Sequence, residues 1–475
     1  MKRKFSSLVA LALVFLIAAL PAFAEVYDQA EVESQVMEAW QDAIDEAAED
    51  PVRLDEVTSQ TQTVETDSET HQLDVFSITD GTNTMRYLMK IGGDPDENGL
   101  YPLYICLHGG GSDEEDGHVN NGQWVEMFEY YADSVTNGIY VAVRGINNEW
   151  NLHFDDASYP LYDRLIEDMI LFFNADPNRV YLLGYSAGGD GVYAIAPRMA
   201  DRFAAVNESS GHPNGVSLKN VANLPFCLQS GIYDTMFDPM RSVAAASFDK
   251  TLADYHDTYG FGYEHKVYIH VPDCHFITDC DPAEGSTQTV LADPQAFVEA
   301  VEDPQVAEEF DADDSYNDSD EAKEKYTVLT KELGLETTQT DTNAVRFVNQ
   351  YIRSANPDAL VWDLSVRAAK RETTSFYWLQ ADMDVNTGLV VASFDKDSNT
   401  FTVDIKEAPN GDFSILLRPS MVDFSRPVYV VCNGKQAEVD VQVDEDLMAQ
   451  TAADTLDPEM VSAAKVSFSS LGLTD

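Results

Sequence analysis

The sequence predicts an α/β fold, with a mostly parallel sheet and helices on both faces, followed by an appended all-β, sandwich-like C-terminal domain. Two observations support this division. Between residues 85 and 271, short apolar strands alternate with helix-length segments, a pattern typical of a mostly parallel sheet. After residue 359, short strands follow one another directly, separated in places by turn pairs such as Asn410-Gly411, as in a β-sandwich.

The first 24 residues have the three parts of a secretory signal peptide. A basic start at residues 2–4 precedes an apolar stretch at 8–20 and a small-x-small cleavage site at Ala22-Phe23-Ala24. We therefore expect a secreted protein, extracellular or periplasmic, whose mature chain starts at Glu25. No later segment has the length of apolar sequence that a membrane span needs, so we expect no membrane insertion after cleavage.

The chain is strongly acidic, with 29 basic and 83 acidic residues and a formal net charge of -54. Such a charge repels nucleic acid and anionic membranes, so neither is an expected partner. Solubility outside the cell accounts for the charge. The hydrophobic share of 44% is large enough for an extensive core.

The elements follow in order from the periodicity of apolar residues. Apolar positions at helical spacing from Val32 to Ala47 predict an amphipathic helix that Pro51 ends, and the polar stretch 56–72 predicts a loop or an edge strand. Further helices are predicted at 162–173 and 240–255. Strands are predicted at 85–91, 101–107, 139–143, 180–183, 204–207, 226–229 and 266–271, and then at 361–366, 375–381, 389–394, 400–405, 413–417 and 428–432.

A nucleophile motif follows the strand 180–183. Gly184-Tyr185-Ser186-Ala187-Gly188 matches G-x-S-x-G, in which the serine lies on a tight strand-to-helix turn with its hydroxyl exposed. The small neighbours let adjacent backbones pass close to a strained serine. Ser186 is therefore the candidate nucleophile, and the N–H of Ala187 at the helix start is a candidate donor to a developing oxyanion.

A second glycine-rich turn, His108-Gly109-Gly110-Gly111, follows the strand 101–107. Glycines let the backbone fold so that an N–H points at the developing negative charge. The turn follows a strand and precedes the serine motif in the chain, as expected of a turn that supplies an oxyanion donor. We expect Gly109, Gly110 and Gly111 to complete an oxyanion hole with Ala187.

A serine nucleophile needs a histidine to take its proton and a carboxylate to orient that histidine. Both are expected after the serine in the chain, the carboxylate first and then the histidine. Of the histidines that follow a plausible acid, His275 alone comes just after a strand, in a loop that can reach the site. Asp234 lies just beyond the strand 226–229, and Asp238, four residues on, is its rival. Cys274 and Cys280 flank the histidine loop, and a disulfide between them is a hypothesis for how that loop is held.

These motifs resemble a group of bacterial α/β-hydrolases related to secreted esterases of the polyhydroxybutyrate depolymerase and feruloyl esterase type. The resemblance is carried by Gly184-Tyr185-Ser186-Ala187-Gly188-Gly189-Asp190 and by Trp150-Asn151-Leu152-His153, and it covers roughly residues 85–280 and 345–470. It implies an α/β-hydrolase fold and a triad of Ser186, Asp234 and His275. The chain departs from the group at Cys274 and Phe276, where a glycine and an aromatic residue such as tryptophan usually flank the histidine.

A secreted serine hydrolase that cleaves small-molecule or polymeric carboxylic esters through an acyl-enzyme is the function predicted from these residues, with no cofactor and no metal. A serine peptidase of the same fold and a non-catalytic binding protein are the alternatives. Trp150 and His212 follow strand ends and are candidates either for contacting substrate or for packing. The predicted organisation is a signal peptide at 1–24, an N-terminal helix and polar segment at 25–72, an α/β-hydrolase catalytic domain at 73–300, an acidic insertion or linker at 301–343, and a helix with a β-rich domain at 344–475.

Overall fold

The computed structural model describes residues 26–111, 117–310, 315–371 and 373–472. The predicted signal peptide at 1–24 therefore lies outside the described residues. The helices are α1 (Gln29–Glu49), α2 (Pro51–Glu56), α3 (His118–Tyr130), α4 (Ser158–Phe173), α5 (Ala187–Ile195), α6 (Arg241–Tyr259), α7 (Pro294–Val301), α8 (Pro304–Glu309), α9 (Asp320–Glu332), α10 (Ala344–Val348), α11 (Glu445–Ala453) and α12 (Phe468–Leu471).

The strands are β1 (Gln60–Glu65), β2 (Thr70–Thr79), β3 (Thr84–Gly92), β4 (Tyr101–Leu107), β5 (Gly138–Arg144), β6 (Ala175–Tyr185), β7 (Ala205–Ser209), β8 (Phe226–Gly231), β9 (His265–His270), β10 (Gln288–Leu291), β11 (Thr337–Thr340), β12 (Ala359–Asp363), β13 (Ser375–Phe376), β14 (Leu379–Ala381), β15 (Leu389–Asp395), β16 (Thr400–Glu407), β17 (Phe413–Leu417), β18 (Val428–Cys432), β19 (Lys435–Val439) and β20 (Ala464–Ser467).

The largest sheet has eleven strands in the order β1-β2-β3-β5-β4-β6-β7-β8-β9-β10-β11. Its centre, from β5 through β4, β6, β7 and β8 to β9, is parallel, as the alternation of strands and helices predicts. Both flanks are antiparallel. Since the carboxyl ends of the parallel strands share one edge, the loops that follow them meet there.

The central strands are buried on both faces of the sheet. Along β4, Leu103 and Ile105 join one apolar cluster, whereas Tyr104 and Cys106 join another on the opposite face. The first cluster includes residues of α4 and α5, and the second includes residues of α3 and α10. Each fully buried aliphatic side chain of this kind contributes about 1.5–3 kcal/mol. Helices therefore cover both faces of the sheet, as predicted.

The segment predicted as an insertion or linker at 301–343 is folded where the structure describes it. It contains α8, α9 and β11, and β11 pairs with β10 and so extends the main sheet at its edge. The described part of this segment is therefore folded and contributes a strand to the main sheet. β11 consists of Thr-Thr-Gln-Thr and is mostly exposed, so it lacks the apolar run by which the buried strands were recognised.

Two further sheets lie in the C-terminal part, one of five strands in the order β12-β15-β16-β18-β19 and one of four in the order β13-β14-β17-β20. Their apolar residues belong to the same cluster as those beneath the main sheet. A buried ion-pair network also joins the two parts, because Arg371 contacts Asp163 at 2.7 Å and Asp201 at 3.0 Å. The C-terminal part is thus packed on the α/β part.

The amphipathic helix predicted near the N-terminus is confirmed as α1. Asp28 caps it by accepting hydrogen bonds from the backbone of Ala30 and Glu31, and Pro51 opens the next helix rather than continuing the first. Its apolar face packs into the shared core, and the Trp40 indole N–H donates to the Leu456 carbonyl at 3.0 Å. Over the described ranges, no helix has both the length and the apolar character needed to cross a membrane.

Candidate active site

Ser186 lies on a strained turn between the end of β6 and the start of α5. Its φ of 57° and ψ of -120° are unfavourable for a residue with a side chain. The turn depends on close backbone contact, because a Cβ added at Gly184 would lie 2.1 Å from the Gly188 carbonyl oxygen. A Cβ at Gly188 would likewise lie 2.1 Å from the carbonyl oxygen of Leu107 in β4. The small residues of the motif therefore make this turn possible.

The structure brings the three predicted triad residues together. Ser186 Oγ lies 3.0 Å from His275 Nε2, and His275 Nδ1 lies 2.8 Å from Asp234 Oδ2. Ser186 is half-buried, whereas His275 and Asp234 are buried, at 3% and 0% exposure. Asp234, rather than its rival Asp238, is the carboxylate that contacts the histidine. A serine hydroxyl, an imidazole and a buried carboxylate at these distances can pass a proton from the hydroxyl to the imidazole.

Arg241, at the start of α6, lies directly beside this group and was not recognised from the sequence. Its Nη1 is 3.4 Å from both Asp234 Oδ1 and His275 Nδ1, and its guanidinium lies 4.7 Å above the ring of Phe237. Burial by itself would lower the pKa of Arg241, but Asp234, Tyr316 and Asp190 together outweigh it and the pKa is raised. The buried carboxylate of Asp234 therefore has a permanent countercharge. No motif marks this arginine.

The histidine loop is held on one side by hydroxyl groups from the ends of β6 and β7. The Tyr185 hydroxyl donates to the His275 carbonyl at 2.7 Å, and Ser210 Oγ donates to the same oxygen at 2.9 Å. The Ile277 N–H in turn donates to the Tyr185 hydroxyl at 3.1 Å. These bonds place the backbone of His275 relative to the strand that carries Ser186.

Four residues beyond His275, the buried carboxylate of Asp279 ties the loop to the main sheet and to α3. It accepts hydrogen bonds from the hydroxyls of Tyr130 and Tyr131 at 2.7 Å each, and from Ser209 Oγ at 2.5 Å. Burial raises the pKa of Asp279, which these hydroxyl bonds oppose. The loop is thus anchored on both sides of His275.

The proposed disulfide between Cys274 and Cys280 is wrong, since both thiols are free. The two side chains lie in different surroundings. Cys274 belongs to one apolar cluster, with its Sγ 4.0 Å from Asp318 Oδ1, whereas Cys280 packs against the cluster on the opposite face of the sheet. Hydrogen bonds to Tyr185, Ser210 and Asp279 hold the loop instead.

Of the predicted oxyanion residues, Gly109 and Ala187 lie next to Ser186. Ala187 follows it directly in α5, and a Cβ added at Gly109 would lie 3.2 Å from the Cβ of Ser186. The Gly111 N–H instead donates to Asn120 Oδ1 at 2.7 Å, so the prediction that it faces the oxyanion is wrong. Gly110, at a φ of 110°, also lies against the Asn120 amide. Asn120, a buried residue of α3, thus shapes the turn.

Exposed aromatic side chains lie on or beside the loops that carry the triad and the glycine turn. Trp150, a predicted substrate-contacting residue, is 50% exposed and lies 6.5 Å from Phe237, ring centre to ring centre. The ring of His212, the other predicted residue, lies 5.2 Å from the same phenylalanine. On the histidine side, Phe276 and Tyr316 are 6.0 Å apart, and Tyr316 lies 4.7 Å from the His275 ring. Phe237 and Tyr316 were missed because each comes from a loop with no recognisable pattern.

Ser186 lies on a strained strand-to-helix turn at the carboxyl end of β6, in the parallel centre of the sheet, which is the arrangement of a hydrolase nucleophile turn. A stretch of 132 residues is 32% identical to "Probable feruloyl esterase C" of Aspergillus terreus, covering 27% of this chain and 47% of that protein. The chain therefore spans about half the length of this curated relative. No family model matches the chain.

Solved structures with a similar arrangement include several esterases. A thermostable esterase has 18% identity and a TM-score of 0.30, over 46% of this chain and 55% of that chain. The carboxylesterase of Bacillus cereus has 16% identity and a TM-score of 0.29, over 42% of this chain and 89% of that chain. A ferulic acid esterase has 16% identity and a TM-score of 0.28, over 44% of this chain and 90% of that chain.

Proposed function

We propose that this chain is an exported serine hydrolase that cleaves carboxylic esters, with Ser186 as nucleophile, His275 as general base and Asp234 as the carboxylate that orients the histidine. The observation that carries the proposal is the pair of contacts from Ser186 Oγ to His275 Nε2 at 3.0 Å and from His275 Nδ1 to Asp234 Oδ2 at 2.8 Å. Export is proposed from the signal-like residues 1–24.

In the first half of the reaction, Ser186 Oγ attacks the ester carbonyl carbon while its proton passes to His275 Nε2. The carbonyl oxygen becomes an oxyanion, which the N–H groups of Ala187 and Gly109 would stabilise. The tetrahedral intermediate then expels the alcohol, which takes the proton from His275, and the acyl group stays on Ser186. Asp234, with Arg241 beside it, stabilises the imidazolium through Nδ1.

In the second half, water attacks the acyl carbon and gives a proton to His275 Nε2. Collapse of the second tetrahedral intermediate releases the carboxylic acid, and Ser186 recovers its proton. The proposal uses only side chains and backbone groups of this chain.

An ester is favoured over a peptide by what surrounds Ser186. The relative that matches part of the chain is described as a probable feruloyl esterase, and the exposed rings of Trp150, Phe237, Phe276 and Tyr316 lie near the triad loops. Aromatic walls suit an apolar or planar acyl group, from a small-molecule or a polymeric ester. A peptidase would be expected to have a charged group for a peptide terminus or side chain, whereas the guanidinium of Arg241 is buried under Phe237.

The test is hydrolysis of p-nitrophenyl esters from acetate to octanoate, of methyl ferulate, and of peptide p-nitroanilides. We expect the mature protein to cleave esters and Ser186→Ala to lose at least about 10⁴-fold in kcat. Ser398→Ala is the matched control, because this exposed hydroxyl donates only to Asp395 in the C-terminal part, at 2.8 Å. Cleavage of the anilides alone would support a peptidase. A folded protein that cleaves neither class would support a binding role.

A further inference from the structure

The segment 315–319, which precedes α9, lies against the two loops that carry Asp234 and His275. Ser315 is the residue of closest contact and is fully buried, with 0% of its surface exposed. The backbone N–H of His275 donates to the Ser315 carbonyl at 2.7 Å. The backbone N–H of Thr235 donates to Ser315 Oγ at 2.9 Å. One residue, 40 or more positions away in the chain, is thus bonded to both loops.

Both neighbours of Asp234 are bonded to this segment. Thr235, on one side, donates to Ser315, while the hydroxyl of Tyr233, on the other side, donates to the Asn317 carbonyl at 3.1 Å. The ring of Tyr233 also stacks on Tyr326 of α9, with ring centres 3.8 Å apart and planes at 8°. The backbone on both sides of Asp234 is therefore attached to the segment.

The distance between Asp234 and His275 depends on two separate loops, one after β8 and one after β9. Hydrogen bonds that are buried are not replaced by water when they are lost, so they restrain the backbone more strongly than exposed ones. Thr235 is 1% exposed and His275 is 3% exposed. The two bonds to Ser315 therefore restrain the separation of the two loops.

We propose that Ser315 is a positioning residue, which sets the distance and angle between His275 and Asp234 through the two backbones that carry them. The proposal rests on the proposed function of this triad. Ser315 does not touch the reacting atoms. Loss of its Oγ would let the Asp234 loop shift, and a displacement of about 1 Å near the reacting groups can cost up to about 100-fold in rate.

The experiment measures kcat and KM of Ser315→Ala, Ser315→Thr and Ser315→Cys in the mature protein with a p-nitrophenyl ester. We expect Ser315→Ala to lower kcat about tenfold and to leave KM within about twofold, because the substrate contacts are unchanged. Ser315→Thr keeps the hydroxyl and should recover most of the rate. Ser315→Cys nearly keeps the side-chain volume but offers a weaker hydrogen-bond acceptor, so we expect a kcat between those of the parent and Ser315→Ala. It also provides a folded comparison if Ser315→Ala does not fold.

Ser319→Ala is the matched control. Ser319 lies in the same segment, and its Oγ accepts a hydrogen bond from the Ala322 N–H at 3.2 Å, as the N-cap of α9. We expect this variant to lower the melting temperature without changing kcat, measured well below unfolding. A kcat for Ser315→Ala within twofold of the parent, or an equal loss of kcat in Ser319→Ala, would overturn the proposal.

A second readout does not depend on turnover. The proton between His275 Nδ1 and Asp234 gives a low-field proton resonance, and we expect Ser315→Ala to shift or broaden it while Ser319→Ala does not. An unchanged resonance in Ser315→Ala would also overturn the proposal. If the parent protein cleaves no ester, the proposed function fails, and the resonance still decides whether Ser315 positions this pair.

Discussion

The two halves of the candidate site are held in different ways. The nucleophile half is local, because Ser186 takes its position from adjacent residues and from glycine contacts with the neighbouring β4. The acid and base half is assembled over long range, because Asp234 and His275 are placed by Tyr185, Ser210 and Ser315 from three other parts of the chain. A motif of a few residues is thus enough to position a candidate nucleophile, whereas its partners are positioned by contacts with distant parts of the chain.

The halves also differ in how they tolerate change. Around Ser186, backbone atoms pack directly against backbone atoms, so a methyl group added at these glycines would clash. Around His275 and Asp234, buried charges and hydrogen bonds hold the groups, so the loss of one partner leaves another buried polar group unsatisfied. We therefore expect steric changes to damage the first half and changes of charge or hydrogen bonding to damage the second.

The largest effect is expected in the acid and base half from Asp234→Asn. The amide keeps the shape but not the charge that stabilises the imidazolium, so kcat should fall by about 10⁴-fold, as in other Ser-His-Asp sites. Asp238→Asn is the matched control and should retain nearly all activity. Steady-state kinetics with a p-nitrophenyl ester measures both. Equal losses in the two variants would show that Asp234 has no special part in the reaction.

A smaller effect is expected in the nucleophile half from Gly188→Ala. The new Cβ would meet the Leu107 carbonyl at 2.1 Å, which must displace the turn and lower kcat/KM by about 100-fold. Gly122→Ala is the matched control, since its Cβ would meet only Thr66 at 3.8 Å within α3. That change should gain roughly 0.5–1 kcal/mol of stability. Kinetics and thermal unfolding of both variants test the steric argument, and near-parent activity in Gly188→Ala would refute it.

The smallest effect is expected from Glu208→Gln, at the end of β7. Glu208 is fully buried, accepts from the Gly211 N–H at 3.0 Å, and so supports the glycine that packs against Gly189 of α5. Burial raises the pKa of Glu208 well above its usual value. The folded carboxyl therefore stays protonated where the unfolded one ionises, and stability falls as pH rises above the unfolded pKa.

The glutamine variant lacks this dependence. We expect its stability relative to the parent to rise between pH 5 and pH 8, because only the parent loses stability as the unfolded carboxyl ionises. Urea unfolding at the two pH values measures the difference. If the free energies of unfolding of parent and variant changed equally between the two pH values, a raised pKa at Glu208 would be contradicted.

The candidate triad residues were chosen from strong local signals in the sequence. The glycine motif located Ser186, chain order and strand ends located Asp234 and His275, and the structure brings these three together. Gly111 was misassigned because its N–H is taken by Asn120, a partner from α3 that no motif indicates. The disulfide was wrong because closeness in sequence does not show which face of the sheet each thiol reaches.

The sequence by itself determined the alternation of strands and helices and the position of the candidate nucleophile, because apolar periodicity and glycine-dependent turns are properties of neighbouring residues. Only the tertiary structure decided that Arg241 lies beside Asp234, that Ser315 joins the acid and base loops, and that residues 337–340 extend the sheet. Each of these depends on contacts between distant parts of the chain, and such contacts leave no periodic trace in the sequence. The physical reason is that the geometry of the folded core, rather than local preference, sets which loops meet at the edge of a sheet.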